Sequence, residues 1–259
     1  MNIRPDELPH REFYRILIST VAPRPIAWVS TLSDGRLNLA PFSFFNVVSA
    51  KPPLLGFSPS LRLVDGRPAP KDTLRNIRET GEFVVNVVTF AVAEAMNLTS
   101  GDYESSLNEF ELARLTTRPS QIVKPPQVAE SPVSFECKLN RIIDFGSEPP
   151  SGSLVFGEIV CVHLKEGVLK DGRLDPDSLD LVGRMGGMQY SRTTPRFELK
   201  RPEVHRPDWK DPGPKDAAPK LADGIPQLSK SSIRRSEPDQ AEAGIVEVHD
   251  SKDSDRNRR

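Results

Sequence analysis

Short apolar runs, separated by proline, glycine and polar residues, dominate the first 200 residues of the chain. Most of them are rich in β-branched and aromatic residues, a composition typical of strands. The predicted strands are 25–31, 36–40, 44–48, 54–58, 82–88, 133–144 and 154–165. Asp34-Gly35, between the first two, predicts a tight hairpin turn. The pattern therefore predicts a mainly β protein.

Three segments between these strands have helical periodicity instead. The first, 10–21, carries its apolar residues on one face. The second opens at Lys71-Asp72-Thr73 and runs to Thr80, with Asp72 as a plausible N-cap and Gly81 as its C-cap, and the third is 91–98. Loops are predicted over 59–70 and 101–110. Closely spaced short strands with flanking helices favour a closed or split antiparallel barrel over a doubly wound sheet.

The stretch 24–58 is apolar enough to be core, yet it carries many hydroxyl and amide side chains. These are Ser30, Thr31, Asn38, Ser43, Asn46, Ser49 and Ser58. A plain core strand avoids buried polar groups without partners. The wall of a ligand site, in contrast, combines apolar surface with a few placed donors and acceptors. Residue pattern alone leaves both interpretations open.

The composition changes near Lys200. Residues 201–259 contain 12 Lys or Arg, 12 Asp or Glu, seven prolines and one aromatic residue. Such a segment buries too little apolar surface to offset the entropy lost on ordering. Two regions are therefore predicted: a domain over 1–200 and a charged, proline-rich, disordered tail over 201–259.

The overall charge is nearly balanced, with 35 basic and 36 acidic residues. This argues against a nucleic-acid or membrane partner bound by bulk electrostatics. The N-terminus lacks the apolar core of a signal peptide, and no apolar run is long enough to span a membrane. Cys137 and Cys161 lie far apart without metal-ligand spacing, which predicts reduced thiols and neither a disulfide nor a zinc site. A soluble cytoplasmic protein is expected.

Lys71-Asp72-Thr73, at the start of the second helix, is a candidate phosphate site. A helix N-terminus offers free N–H groups, to which the lysine adds a charge and the threonine a hydroxyl. On spacing alone, an ordinary capped surface helix is the more frequent meaning of this pattern.

The sequence gives only weak signals for other nucleotide-binding or catalytic sites. There is no Walker loop, no GxGxxG motif and no convincing catalytic triad. His163 lies on a predicted strand, where a structural role is favoured. Any demanding chemistry would therefore come from an organic cofactor.

Several blocks together carry a resemblance to a known family. RPIAWVST, NLAPFSFFNVVS, PPLLGFS and KDTLRNIRETGEFVVNVV, followed by ESPVSFECKL and LVFGEIVCVHL, resemble in order and spacing the flavin reductase-like family of FMN-binding split-barrel proteins. The resemblance covers about residues 8–200. It implies an antiparallel split β-barrel that forms a homodimer with FMN at the subunit interface.

The same resemblance implies the cofactor-binding residues. They are Ser30, Thr31, Ala40, Pro41, Phe42, Ser43, Phe45, Asn46, Phe57, Ser58, Lys71, Thr73 and Tyr190. Ser30 and Thr31 would lie near the polar side chain and phosphate of FMN, which Lys71 and Thr73 would hold. Residues 40–43, Phe45 and Asn46 would line the isoalloxazine ring, with Phe57 and Ser58 behind it. Tyr190 would make a contact near the dimer interface. The resemblance assigns no catalytic acid or base.

The implied activity is hydride transfer from NAD(P)H to flavin, with a partner flavoenzyme as one destination for the electrons. Two alternatives remain. The protein could be a flavin-binding electron-transfer module without enzymatic activity, serving a partner protein. It could also be an FMN-dependent oxidase of a small organic substrate in the same pocket.

Overall fold

In a computed structural model of the chain, the structure describes residues 2–194 and 196–200. The predicted tail over 201–259 lies outside the described residues. Within them, five α-helices and two short 3₁₀ helices accompany fifteen strands, so the predicted mainly β class is confirmed. None of the described helices is long and apolar enough to cross a membrane.

The helices are short and stand between strands. The 3₁₀ helices are Pro5–Glu7 and Phe90–Val92, and the α-helices are α1 (His10–Thr20), α2 (Asp72–Thr80), α3 (Ala93–Leu98), α4 (Glu109–Leu112) and α5 (Pro176–Leu179). As predicted, Gly81 ends α2 with φ of 69°, a left-handed conformation that glycine adopts without a Cβ penalty. The prediction for Asp72 was wrong. Lys71 is the N-cap, and Asp72 is the first helical residue.

Seven strands form the main sheet and eight form two-stranded ribbons. The strands are β1 (Ala27–Ser33), β2 (Arg36–Phe42), β3 (Phe45–Ala50), β4 (Pro53–Phe57), β5 (Arg62–Val64), β6 (Arg67–Ala69), β7 (Glu82–Val87), β8 (Thr117–Arg118), β9 (Gln127–Val128), β10 (Val133–Asp144), β11 (Ser153–Leu164), β12 (Leu169–Lys170), β13 (Arg173–Leu174), β14 (Val182–Arg184) and β15 (Tyr190–Arg192). The main sheet is antiparallel, in the order β2-β1-β7-β10-β11-β4-β3.

The predicted hairpin between β1 and β2 is present. Asp34 and Gly35 have φ of 49° and 73°, and two positive values in a two-residue turn match the right-handed twist of the paired strands. The ladder runs from Ser33↔Arg36 to Ala27↔Phe42 without a register shift. Turn chemistry and strand pattern therefore agree.

Two segments that the sequence assigned to loops contain ordered elements. β5 and β6 form a hairpin inside 59–70, around Asp65-Gly66 with φ of 51° and 72°. α4 begins at Glu109, inside the other predicted loop. Each of these elements is only three or four residues long, too short to produce a hydrophobic period.

The two edge strands of the sheet are joined by a very short connection. β2 ends at Phe42 and β3 begins at Phe45. Three residue steps span at most about 11 Å, so the sheet curls until its two edges approach each other at this corner. Among the described residues, β2 and β3 do not pair with each other. The sheet is therefore rolled but open along one seam.

Two apolar clusters cover the two faces of the curled sheet. The cluster inside the curl includes Val29, Phe57, Phe83 and Leu74 of α2. The other includes Trp28, Leu39, Val88 and Met96 of α3, among others. Neighbouring residues Trp28 and Val29 belong to different clusters because side chains alternate across a strand. The strand β1 is thus buried on both faces.

Candidate flavin site

The corner between β2 and β3 gathers most of the residues predicted to line a flavin ring. Residues 40–46 run from the end of β2 to the start of β3. Phe57, at the end of β4, pairs with Phe45, and the Ser58 N–H donates to the Phe44 carbonyl at 2.8 Å. Lys51 and Pro52 separate β3 from β4, which begins at Pro53. The fold therefore brings two separate sequence segments, 40–46 and 57–58, to one corner.

Side chains at this corner differ in their accessibility. Phe42 and Phe57 are buried, with ring centroids 5.1 Å apart, whereas Asn46 is exposed. The remaining predicted residues are half-buried: Ala40, Pro41, Ser43, Phe45 and Ser58. A surface of this kind, part apolar and part polar, is suited to a planar ligand that has an amide edge.

A buried polar ladder connects β1 and β2 to α2. The Asn38 amide donates to Thr31 Oγ1 at 3.2 Å and to Thr73 Oγ1 at 2.9 Å. The Asn76 amide donates to Thr31 Oγ1 at 3.0 Å. All four side chains are buried, so the ladder satisfies polar groups that would otherwise be unpaired. The structure thus places two predicted phosphate residues, Thr31 and Thr73, at the same end of α2.

Ser30 lies on the other face of β1. Its hydroxyl donates to the Pro126 carbonyl at 2.5 Å, away from the ladder that holds Thr31. Adjacent residues of a strand point to opposite faces, so the Ser30 and Thr31 side chains do not reach one ligand group from the same side.

Lys71 stands at the N-terminus of α2 and is half-buried. Among the described residues, no carboxylate lies within 4.0 Å of its ammonium group. The first N–H groups of a helix also lack intrahelical partners and carry the positive end of the dipole. An unpaired cation beside a helix N-terminus fits the phosphate of a flavin nucleotide.

Asp72, next to Lys71, is fully engaged within the protein. Its carboxylate contacts Arg62 at 3.0 Å, Arg75 at 2.5 Å and the Ser105 hydroxyl at 2.6 Å. Burial by itself raises the pKa of Asp72, but the Ser105 hydrogen bond and the two guanidinium charges outweigh it and lower the pKa below its usual value. Asp72 is therefore ionised and neutralised by its own partners, which leaves the Lys71 charge available.

A polar cleft of about 60 Å³ lies beside the ladder, between the β1–β2 turn and α2. It is lined by Asn38, Asp72, Arg75 and Asn76, among other residues. Pockets that enclose a whole organic ligand measure about 300–1,000 Å³. The cleft is thus too small for a flavin ring.

Tyr190 is on β15, in the C-terminal hairpin. Its hydroxyl donates to Asn97 Oδ1 at 3.0 Å, and Arg184 lies over its ring at 4.4 Å. The buried Arg24 links this hairpin to the corner, because it donates to the Met185 carbonyl and lies 5.9 Å from the Phe44 ring centroid. Tyr190 itself packs against the cluster of Trp28 and Leu39.

Sequence reasoning missed Asn76, Arg24 and the partners of Asp72 as parts of this region. Asn38 was noted as a polar residue in an apolar stretch but was not assigned to the site. Asn76 follows Thr73 by three residues, a spacing that places both on one helix face. That spacing was the available signal. Two partners of Asp72, Arg62 of β5 and Ser105, come from other segments and gave no such signal, whereas Arg75 lies three residues on in α2.

The chain belongs to the family described as flavin reductase like domain, whose model matches residues 19–182. Nitrilotriacetate monooxygenase component B from Bacillus cereus is 35% identical, with a TM-score of 0.71, over 77% of this chain and 98% of that chain. The 2-nitrobenzoate 2-nitroreductase NbaA of Pseudomonas fluorescens is 36% identical, with a TM-score of 0.69, over 80% and 98%. A split barrel domain protein from Shewanella frigidimarina is 25% identical, with a TM-score of 0.64, over 79% and 100%.

These comparisons confirm the resemblance that the sequence blocks indicated. The split-barrel description of a relative agrees with the curled, open sheet found here. Family membership supports flavin binding and a flavin-related oxidoreductase role for this chain.

Proposed function

We propose that the protein is an FMN-dependent oxidoreductase of the flavin reductase type, which transfers hydride from NAD(P)H to flavin. The observation that carries the proposal is the β2–β3 corner together with Lys71 at the N-terminus of α2, whose ammonium group has no carboxylate within 4.0 Å among the described residues. The corner offers half-buried apolar and polar groups for a ring, and the α2 N-terminus offers a cation and free N–H groups for a phosphate.

The residues proposed to hold the ring are 40–43, Phe45 and Asn46, together with Phe57 and Ser58. Lys71 and Thr73 would hold the phosphate, with Thr31 supporting Thr73 through Asn38. The contributions of Ser30 and Tyr190 stay predictions. A bound flavin would supply the hydride acceptor and would need no protein acid or base, so this chain's residues would only have to bind and orient it and exclude water.

The proposal is tested on purified protein by flavin absorbance and by NADH and NADPH oxidation with added FMN. We expect FMN to bind and at least one nicotinamide to be oxidised. Protein that neither binds FMN nor oxidises a nicotinamide would contradict the proposal.

A homodimer is also part of the proposal, because one subunit leaves apolar surface uncovered at the corner. α1 has no buried residue, and Leu17 is exposed. Val47, on the edge strand β3, is 63% exposed. The ring centroids of Phe44 and of Tyr14 in α1 are 6.4 Å apart. A contiguous apolar patch of this kind marks an interaction surface. A second copy covering it would complete a slot that one subunit leaves open.

Val47→Glu is expected to weaken the dimer about 100-fold or more, because a charge would be buried without a partner at the interface. Sedimentation velocity over a range of concentrations measures the effect. Leu174→Glu, at another exposed apolar position, on β13, is the control and should leave the dimer unchanged. A Val47→Glu dimer as stable as the unmodified one would place the interface elsewhere.

Lys71→Ala is expected to lower FMN affinity by about 1–3 kcal/mol, the range for losing a charge-assisted hydrogen bond. Fluorescence titration of FMN measures the change. Lys170→Ala, which removes an exposed cation on β12, should have no effect. Equal affinity of the Lys71→Ala and unmodified proteins would show that the phosphate lies elsewhere.

A second candidate function keeps the flavin bound and reduces a small organic acceptor in the same site. The relative named as a 2-nitrobenzoate 2-nitroreductase, 36% identical over 98% of its length, favours this candidate. The relative named as a monooxygenase component favours passing electrons to a partner flavoenzyme. Gel filtration after reduction separates the two, since retained flavin supports the first and released flavin the second.

We further propose a cytoplasmic location, which suits two free cysteines.

A further inference from the structure

Three metal-ligating side chains meet on one face of the β10–β11 pair, in a cluster that the flavin site does not use. They are Glu136 of β10 and Cys161 and His163 of β11. One ligand atom from each lies within 4.8 Å of the others. Glu136 pairs directly with Cys161, and His163 is two residues further on the same face of β11.

We propose that Glu136, Cys161 and His163 form a binding site for a divalent transition-metal ion, with zinc as the best match. Thiolate, imidazole and carboxylate are the ligand types that zinc takes in proteins. Magnesium and calcium, in contrast, take oxygen ligands almost alone. Three protein ligands of these types select an ion of zinc-like softness.

The Glu136 carboxylate is held in place before any ion binds. It is fully buried and accepts three backbone N–H groups, from Gln121 at 2.7 Å, Ile122 at 2.7 Å and Val123 at 2.9 Å. Such outer hydrogen bonds fix the orientation of a metal-binding carboxylate. Glu136 therefore forms the rigid side of the site.

His163 already points at this carboxylate. Its Nε2 lies 2.5 Å from Glu136 Oε1, within hydrogen-bonding distance. Zinc bonds of about 2.0–2.2 Å to nitrogen and oxygen separate two tetrahedral ligand atoms by a little over 3 Å. Binding thus requires a displacement of less than about 1 Å, and the side chain of His163, still 14% exposed, has room to move outward.

The charges of the cluster match a divalent ion. A thiolate, a carboxylate and a neutral imidazole sum to two negative charges, so a divalent cation makes the site neutral. Without an ion, burial and the Glu136 charge raise the pKa of the Cys161 thiol. Metal binding would therefore release a proton from sulfur, and affinity would rise with pH.

A fourth position is available next to the sulfur. Gln121 Oε1 lies 3.9 Å from Cys161 Sγ, and Cys161 is only half-buried. Gln121 or water can therefore complete a tetrahedron, and the ion can enter from solvent.

The site is remote from the flavin corner along the sheet. β11 pairs with β4 through Val155 to Glu158, and His163 lies about 26 Å beyond Val155 along the strand at roughly 3.3 Å a residue. The ion would pin the 121–123 segment to the sheet and would take no part in hydride transfer. Sequence spacing did not indicate it, because Cys-x-His on a strand and a glutamate 25 residues earlier match no familiar zinc pattern.

The test is Co²⁺ titration of metal-free, full-length protein followed by optical spectroscopy, with zinc affinity measured by competition against a chromophoric chelator. We expect a thiolate-to-cobalt charge-transfer band with one equivalent of ion. Cys161→Ser should abolish the band and His163→Gln should lower zinc affinity at least tenfold. FMN affinity should stay unchanged in both variants.

Two variants test whether the ion binds at this cluster. Cys161→Ser leaves Cys137 as the chain's one thiol, so a band that survives this change would overturn the proposal. His10→Gln removes a histidine of α1 and should leave zinc affinity unaltered. Absence of the band in the unmodified protein, or equal zinc affinity of the His163→Gln and unmodified proteins, would also overturn the proposal.

Discussion

Glu136→Gln is expected to lower the free energy of unfolding of the metal-free protein by about 3–5 kcal/mol, the range for removing one partner of a buried charged pair. The carboxylate accepts three backbone N–H groups and contacts His163. A glutamine amide keeps one acceptor oxygen and turns a donor toward groups that are themselves donors. Buried N–H groups left unpaired in this way each cost about 1–3 kcal/mol.

Urea denaturation of both proteins measures this difference. Glu158→Gln is the matched control, since Glu158 is an exposed residue of the same β10–β11 ladder. The control should change stability by no more than about 0.5 kcal/mol. A loss below about 1 kcal/mol in Glu136→Gln would mean that the segment 121–123 is not held by this carboxylate.

The stability that the Glu136 carboxylate contributes is expected to depend on pH. Burial alone raises the pKa of Glu136, but the backbone N–H groups and His163 outweigh it, so the pKa lies below the ordinary value of 4.5. A lowered pKa contributes stability that is present above the ordinary value and is lost as pH falls toward the folded value. The difference in the free energy of unfolding between the unmodified and Glu136→Gln proteins should therefore be constant near neutral pH and shrink below about pH 4.5.

Phe57→Ala is expected to lower the free energy of unfolding by about 3–5 kcal/mol, because it opens a cavity in the centre of the curled sheet. The Phe57 side chain is fully buried, between Phe42 at 5.1 Å and Phe83 at 5.6 Å between ring centroids. The ring thus joins the flavin corner to the core. The measurement uses FMN-free protein, since bound ligand would raise the apparent stability.

Phe145→Ala is the control for this change, since Phe145 is 65% exposed and its removal should alter stability by about 0.5 kcal/mol at most. If Phe57→Ala lowers FMN affinity strongly and stability only slightly, the ring contacts the cofactor and not mainly the core. The opposite result would show that Phe57 supports the corner from behind.

Local signals determined much of the fold. Asp34-Gly35 with alternating flanks determined the β1–β2 hairpin, and Gly81 after a periodic segment determined the end of α2. The long runs at 133–144 and 154–165 correspond to β10 and to β11, which lies within one residue of its predicted bounds. Each of these signals acts over a few residues, so a single sequence suffices to read it.

Pairing between distant segments was harder to predict. Nothing local says that the C-terminal hairpin of β14 and β15 forms an isolated bridge with residue 24, beside the start of β1. Two partners of Asp72, Arg62 and Ser105, likewise come from other segments. Such contacts depend on strand order and register, which short-range propensity does not specify.

For the site, the sequence by itself determined the family, the polar residues of 24–58 and the cation at the start of α2. Only the tertiary structure decided that Thr31, Asn38, Thr73 and Asn76 form one ladder, that Ser30 faces away from it, and that Glu136, Cys161 and His163 lie together. The reason is physical. A side chain's type is written in the sequence, but its neighbours are set by which strands pair, in which register, and on which face each residue then falls.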